Sequence, residues 1–146
     1  MLVYLDAERP KSKRMKVSER EPCRTPSDVY DLFKKIADLE QEVFCVVTLD
    51  SKNRAINTHM ISMGLLNASL VHPREVFRTA IKDNSASIIL AHNHPSGDSS
   101  PSREDLRLTK QLIEAGNIVD IKILDHVIIA QENNLSMREN GLCVFQ

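Results

Sequence analysis

The sequence predicts an α/β domain in which helices alternate with the strands of a mixed sheet. Apolar stripes at helical spacing, with starting signals at Pro26 and Pro73, alternate with short runs rich in β-branched residues. One such run, residues 86–92, is apolar almost throughout, which is typical of a strand covered on both faces. With 146 residues, of which 42% are hydrophobic and 27% charged, the chain suits one compact core.

Residues 1–24 are expected to form an N-terminal arm, and residues 25–146 the folded domain. The arm carries a short basic run bounded by acidic residues, made of Arg9, Lys11, Lys13, Arg14 and Lys16. Because this run is short and has no interleaved aromatic residues, a solvated arm or an edge strand is favoured over a nucleic-acid-binding tail.

The first helix is predicted to begin after Thr25, which can cap it. Pro26 suits the first helical position and Asp28 the third. An apolar stripe then follows at helical spacing, which predicts a face packed on the core: Val29, Leu32, Phe33, Ile36 and Leu39.

Strands are predicted at residues 42–50 and 54–62, joined by Asp-Ser-Lys-Asn, with a third near residues 65–71 in an antiparallel meander. A helix then starts at Pro73, runs to about Asp83 and is expected to bury one set of apolar side chains: Val76, Phe77, Ala80 and Ile81. The apolar strand at residues 86–92 is expected at the centre of the sheet.

The last elements are a helix and one or two further strands. The helix is predicted at residues 102–115, and Gly116 suits a left-handed C-terminal cap. Residues 119–130 are predicted to supply the strands.

His92 and His94 are separated by one residue and are followed by Asp105, which is a metal-ligand spacing. Strand alternation at His92 directs both imidazoles to the same side of the sheet. The turn-rich residues 95–101 bring the chain back, so that Asp105 can complete a three-ligand set with a fourth zinc position open to water. Asp98 is an alternative ligand, although Ser-Gly-Asp more naturally holds a tight turn.

The pair Ser102 and Asp105 also has a purely structural interpretation. Ser-x-x-Asp at a helix start resembles a capping box and needs no metal, although capping does not explain the histidines. Ser102 can also donate a hydrogen bond to a developing oxyanion. His126, within Asp125-His126, fits either a bend or a contact behind the metal ligands, and both remain open.

The order and spacing of His92, His94, Ser102 and Asp105 match the JAMM signature of His-x-His, seven residues, Ser, two residues and Asp. The sequence His-Asn-His-Pro-Ser-Gly-Asp, followed by Pro-Ser-x-x-Asp, is more specific than the general JAMM signature. Together with His-Pro-Arg-Glu at residues 72–75 and Leu-Asp-His at residues 124–126, it resembles the RadC family. RadC is a branch of the JAB/MPN+ (JAMM) metalloprotease-like fold, and the similarity covers roughly residues 25–146.

The resemblance implies a three-layer α-β-α fold of the JAB/MPN (cytidine-deaminase-like) type. It also implies a zinc-dependent hydrolase of amide or isopeptide bonds, with a peptide or protein substrate of unknown identity. The family's upstream glutamate falls on Glu42, which becomes the expected general base, with Ser102 as the second catalytic residue. Longer RadC proteins carry an N-terminal helix-hairpin-helix module, for which we expect no room in residues 1–41.

Other functions remain as alternatives. The association of the RadC family with DNA repair favours a metal-dependent nuclease or an accessory protein of nucleic-acid processing. A 2-His-1-carboxylate iron(II) oxygenase has a similar ligand set, but the predicted helices argue against the all-β barrel that usually holds it. A non-catalytic MPN-type binding module is disfavoured because the four motif residues are retained. A zinc deaminase is disfavoured because no Pro-Cys-x-x-Cys follows.

The composition of the chain argues against some classes of binding partner. A formal net charge of −1 and a pI near 6.5 give no overall attraction to phosphate backbones or anionic membranes. The sequence has no apolar run near the length of a bilayer span and no signal-peptide pattern at its start, so we expect a cytoplasmic protein without membrane contact. Cys23, Cys45 and Cys143 form no Cys-x-x-Cys pair and are expected to be free thiols. The oligomeric state stays open.

Overall fold

The computed structural model describes residues 16–64 and 71–145. Its centre is a five-stranded sheet in the order β2-β1-β3-β4-β5. The strands are β1 (Glu42–Leu49), β2 (Ala55–Gly64), β3 (Ser87–Asn93), β4 (Lys122–Ile129) and β5 (Asn134–Ser136). Strands β3 and β4 are parallel, and the other neighbouring pairs are antiparallel. The predicted mixed sheet is confirmed, and β3 lies at its centre with all of its residues buried.

Helices cover both faces of this sheet, which gives three layers. On one face pack α1 (Pro26–Phe33) and the 3₁₀ helix Lys34–Asp38. On the other face pack α2 (Pro73–Lys82) and α3 (Arg103–Val119). A short 3₁₀ helix, Val17–Glu19, precedes them. None of the helices in the described parts of the chain is long and apolar enough to cross a membrane.

Helix α1 begins as predicted but ends earlier. Thr25 Oγ1 accepts a hydrogen bond from the N–H of Asp28 at 3.2 Å, and the Asp28 carboxylate accepts one from the N–H of Thr25 at 3.0 Å. After Phe33 the chain continues as a 3₁₀ helix with fewer residues per turn, which rotates the following side chains away from the α-helical stripe. The predicted burial of Leu32 and Leu39 is wrong, since these residues are 37% and 40% exposed. Leu39 follows the 3₁₀ helix, whereas Leu32 lies within α1, where Val29 and Phe33 take the buried positions.

The second helix is confirmed over Pro73–Lys82, with one correction to its buried face. Val76, Phe77 and Ala80 are buried as expected. Ile81 is 60% exposed, because Ala80 takes the core position in the last turn and Ile81 points about 100° further round the helix. The third strand predicted near residues 65–71 lies outside the described residues, apart from Val71, which is buried and not in a strand.

The end of α3 corrects the interpretation of Gly116. The helix continues to Val119, and the residue in the left-handed conformation is Asp120, with φ 58°. Gly116 lies inside the helix, where a Cβ atom would stand 2.5 Å from the carbonyl oxygen of Ile121 and 3.3 Å from the ring of Phe77. That oxygen approaches because the N–H of Ile121 bonds back to the carbonyl of Gly116 at 3.0 Å. Glycine is therefore required by close packing and not by the cap.

Residues 20–23 lie against the turn between β1 and β2. The N–H of Cys23 donates to the carbonyl of Asn53 at 2.8 Å, and the N–H of Ala55 donates to the carbonyl of Glu21 at 2.8 Å. Arg20 forms an ion pair with Asp50 at 3.2 Å. Cys23 is only 1% exposed, so this segment supplies part of the core on the α1 face.

Candidate metal centre

The candidate site lies where the end of β3, the start of β1 and the first turn of α3 meet. Phe44 of β1 pairs with His92 of β3 across the sheet. Because strand side chains alternate, Glu42 and Phe44 share the face on which His92 lies, which is the face covered by α2 and α3. The capped start of α3 brings Asp105 to the same place.

The structure brings His92, His94 and Asp105 together. The two Nε2 atoms of His92 and His94 are 2.8 Å apart. His94 Nε2 lies 3.2 Å from Asp105 Oδ2, and His92 Nε2 lies 3.4 Å from Asp105 Oδ1. One donor atom from each residue therefore falls within 4.8 Å of the other two, a spacing that suits a common cation.

A hydrogen bond on the far side of the His94 ring determines which of its nitrogens carries the proton. His94 Nδ1 lies 2.8 Å from the backbone oxygen of Asp98, which can only accept. The neutral ring therefore carries its proton on Nδ1 and presents the Nε2 lone pair to His92 and Asp105. A lone pair and a carboxylate that point at one spot favour a cation there.

Two pKa shifts agree with that electrostatic character. Burial raises the pKa of Asp105, but the adjoining imidazoles of His92 and His94 outweigh it and hold the pKa well below its usual range. Burial lowers the pKa of His94, but the close approach and charge of Asp105, the hydrogen bond to the backbone of Asp98 and the charge of Glu42 raise it above its ordinary value. The cluster therefore keeps its carboxylate ionised and attracts positive charge.

A cleft of about 360 Å³ opens onto the cluster and also contains Glu42 and Ser102. Its apolar wall is formed by Phe44, Val71 and Leu108. Burial raises the pKa of Glu42; the charges of His92 and His94 oppose this rise and that of Asp105 adds to it. Such a shift brings a carboxylate closer to the range in which it exchanges protons near neutral pH. Glu104 lines the same cleft.

Ser102 is the N-cap of α3, as the capping interpretation predicted. Its Oγ accepts a hydrogen bond from the N–H of Asp105 at 3.0 Å, and the Asp105 carboxylate accepts one from the N–H of Ser102 at 2.9 Å. The capping box therefore also orients the carboxylate that faces the histidines. Because the cap uses only the oxygen of Ser102, its hydroxyl hydrogen can still be donated into the cleft.

The structure separates the other candidates from the cluster. The exposed side chain of Asp98 accepts from the N–H of Ser100 at 2.9 Å, as expected of a turn residue. His59 bonds to Asp83 at 2.6 Å, and His72 stands directly before α2.

Three buried polar residues at the site were not assigned a role from the sequence. His126 is fully buried, and its Nε2 lies 2.7 Å from His92 Nδ1. Thr109, one helical turn after Asp105, contacts His126 in turn at 2.6 Å. Burial lowers the pKa of His126 well below its ordinary value, with a further decrease from the charge of His92, which keeps the ring neutral. The signal in the sequence is a polar pair, Asp-His, inside the apolar strand β4.

Asn93 is the third. It lies between the two histidines, is fully buried and bonds to the backbone on both sides of Glu42. The motif His-Asn-His placed this residue beside the site but did not indicate its partner.

Comparison with known proteins identifies the family of this chain. The family model described as the RadC-like JAB domain matches residues 23–142. This chain belongs to the RadC family. Its five-stranded mixed sheet between helices is the JAB/MPN-like fold that the RadC resemblance implied.

Curated RadC-family relatives are known as UPF0758 proteins, a name that states no reaction. The protein from Methanosarcina mazei is 45% identical over 134 residues, which cover 89% of this chain and 58% of the relative. The protein from Caldanaerobacter subterraneus subsp. tengcongensis is 52% identical over 123 residues, covering 84% and 53%. The Clostridium perfringens protein is 47% identical over 133 residues, covering 89% and 59%. The chain thus spans little more than half the length of these relatives.

The residues of this RadC domain could hold a metal ion. Two imidazole nitrogens and one carboxylate, with open space beside them in the cleft, form the donor set of catalytic zinc sites. His92 also has a polar partner behind its ring, as metal-ligating histidines usually do.

Proposed function

We propose that this RadC-family domain is a zinc-dependent hydrolase that cleaves an amide or isopeptide bond in a peptide or protein. The supporting observation is the convergence of His92 Nε2, His94 Nε2 and the Asp105 carboxylate beside a cleft that also holds Glu42 and Ser102. The two histidines and Asp105 would hold the ion. When bound, zinc polarises a carbonyl and lowers the pKa of water to about 7.

Glu42 is the proposed general base. Its carboxylate lines the cleft, and burial moves its pKa upward, toward the range that suits proton transfer near neutral pH. It accepts the proton of the attacking water and delivers it to the leaving nitrogen, so that the amine departs neutral. The backbone on both sides of Glu42 is held by Asn93, which fixes the direction from which the carboxylate enters the cleft.

Ser102 is the proposed oxyanion donor. Its oxygen is occupied by the N–H of Asp105, and this bond fixes the side chain in the lining of the cleft. The O–H hydrogen can then be donated to the negative oxygen that forms as water adds to the carbonyl.

The test is activity profiling of the zinc-loaded protein on peptide, isopeptide and DNA libraries, with Asp105→Ala and Asp98→Ala as a matched pair. We expect cleavage of an amide or isopeptide bond by the wild type and by Asp98→Ala, and its loss in Asp105→Ala. Zinc-loaded protein that cleaves no amide in any library would contradict the proposal. DNA cleavage that disappears in Asp105→Ala would replace it with the nuclease alternative.

A further inference from the structure

A chain of buried hydrogen bonds runs from the backbone of Asp105 to the back of the His92 ring. Thr109 Oγ1 lies 2.6 Å from the carbonyl oxygen of Asp105 and 2.6 Å from His126 Nδ1. His126 Nε2 lies 2.7 Å from His92 Nδ1. Thr109 and His126 are fully buried and His92 is 3% exposed, so this chain is closed off from bulk water.

The direction of each bond follows from counting protons. The carbonyl oxygen of Asp105 can only accept, so the single hydroxyl hydrogen of Thr109 points to it. The thioether of Met137, at 3.6 Å from Thr109 Oγ1, is a more distant and weaker acceptor. The Thr109 oxygen is then an acceptor, and His126 must donate to it from Nδ1–H.

The same counting continues through the next ring. A neutral His126 has one N–H, which is used toward Thr109, so its Nε2 is a lone pair that accepts from Nδ1–H of His92. His92 thereby presents an unprotonated Nε2 to Asp105 and His94. The carbonyl of Asp98 imposes the same tautomer on His94 directly. Two backbone carbonyls thus fix the protons of both rings.

We propose that His126 and Thr109 are positioning residues that lock His92 in the Nδ1–H tautomer and so turn its Nε2 into a metal donor. The inference rests on the metal site of the proposed function. As a consequence, one residue contributes to the site in two ways. The carboxylate of Asp105 faces the ion, and the backbone carbonyl of Asp105 determines, through Thr109 and His126, which nitrogen of His92 carries the proton. Without the relay, His92 could carry its proton on Nε2 and offer no lone pair to the ion.

The test compares two substitutions at Thr109. Thr109→Ser keeps the hydroxyl, whereas Thr109→Val keeps the shape but can neither accept from His126 nor donate to Asp105. In Thr109→Val, His126 loses the acceptor for its Nδ1–H and is expected to move its proton to Nε2. It would then donate to His92 Nδ1 and leave the His92 proton on Nε2.

Two readouts are needed. Side-chain ¹⁵N NMR of the metal-free protein at about pH 8 reports the tautomer of each histidine, and chelator competition reports zinc affinity. We expect the His92 Nδ1–H tautomer in both the wild type and Thr109→Ser, and the same zinc affinity in the two proteins. In Thr109→Val we expect the Nε2–H tautomer and a zinc affinity lower by about 10–100-fold, the usual effect of losing such a partner.

A second pair covers the case in which Thr109→Val fails to fold. Glutamine at position 126 can offer its oxygen to His92 and its amide to Thr109, whereas leucine can do neither. His126→Gln should retain the His92 tautomer and most of the zinc affinity, and His126→Leu should lose both. Circular dichroism establishes that each variant is folded before the comparison.

Folded Thr109→Val or His126→Leu protein with the wild-type His92 tautomer and wild-type zinc affinity would overturn the inference and leave a purely structural network. Failure of the wild type to bind zinc would instead refute the proposed function. The tautomer of His92 in the metal-free variants would still decide whether the relay sets that proton.

Discussion

Asn93 holds Glu42 by both of its neighbouring peptide groups. Its Oδ1 accepts a hydrogen bond from the N–H of Val43 at 2.6 Å, and its Nδ2 donates to the carbonyl of Gln41 at 2.9 Å. Because Asn93 is fully buried between the two histidines, it ties the strand with the proposed ligands to the strand with the proposed base.

Asn93→Asp should therefore weaken the fold and the turnover more than zinc binding. The carboxylate keeps the bond to Val43 but places an oxygen against the carbonyl of Gln41, which leaves a buried acceptor without a donor. We expect a loss of about 1–3 kcal/mol or more in urea unfolding. Asn57→Asp is the control, because Asn57 uses its side-chain oxygen to accept from Thr58, a bond that aspartate retains. Equal losses at both positions would contradict a special role for Asn93.

Zinc content should follow Asp105 and not Asp98. The wild type is expected to bind about one zinc per chain, as at a mononuclear site. Asp105→Ala removes a carboxylate that faces both histidines and should abolish uptake, whereas Asp98→Ala removes an exposed side chain and should leave it unchanged. Elemental analysis and calorimetry measure both. Absence of zinc binding by the wild type would remove the metal site altogether.

Glu42→Gln should separate metal binding from catalysis. Glutamine preserves the size of the side chain but accepts no proton at neutral pH, so turnover should fall by about 10²–10⁴ while zinc affinity stays near that of the wild type. The control is Glu104→Gln, which alters the other glutamate of the same cleft. If Glu104→Gln shows the larger loss of rate, the base is Glu104. If Glu42→Gln loses zinc, Glu42 is a ligand.

Ser102→Ala and Thr25→Ala compare two helix caps, only one of which faces the cleft. Both residues close a capping box, so each substitution should cost about 0.5–2 kcal/mol of stability in urea unfolding. Only Ser102→Ala should also lower turnover, by about 10²–10³, the effect of losing one oxyanion donor. Equal turnover in the two variants, measured at a temperature where both are folded, would reduce Ser102 to a cap.

Stability should fall in alkaline solution because of two buried thiols. Burial raises the pKa of Cys23 and of Cys45 to about 12. An unfolded thiol ionises near pH 8.5, so the stabilisation is complete below about pH 8.5 and is lost as the pH rises toward the folded value. Each thiol contributes a slope of up to roughly 1.4 kcal/mol per pH unit. Urea unfolding under reducing conditions at several pH values should show a flatter decline in the Cys23→Ala, Cys45→Ala double variant, and identical slopes would contradict it.

The elements that depend on local signals could be predicted from the sequence. The helix caps at Thr25 and Ser102 and the buried strand β3 are local patterns. These features are confirmed because their causes lie within a few residues of each other.

The features that were missed depend mostly on partners that are distant in the sequence. Gly116 was assigned to a cap, but its need for glycine comes from Ile121 and from Phe77 of another helix. The partner of His126 lies 34 residues away, and the bonds of Asn93 span 50 and 52 residues. No periodic pattern in the sequence indicates such pairs, since these contacts form only when the order of the strands and the packing of the helices are established.

All three proposed ligands lie within residues 92–105, whereas Glu42 and His126 are contributed by other parts of the chain. An unfolded chain would therefore retain part of its affinity for zinc, because a short segment can bring the same donors together. Binding to the unfolded state subtracts from the stabilisation that a ligand confers on the folded one. Zinc would thus raise the melting temperature by less than its affinity for the folded protein implies, and the ion could be captured before the catalytic half of the site exists.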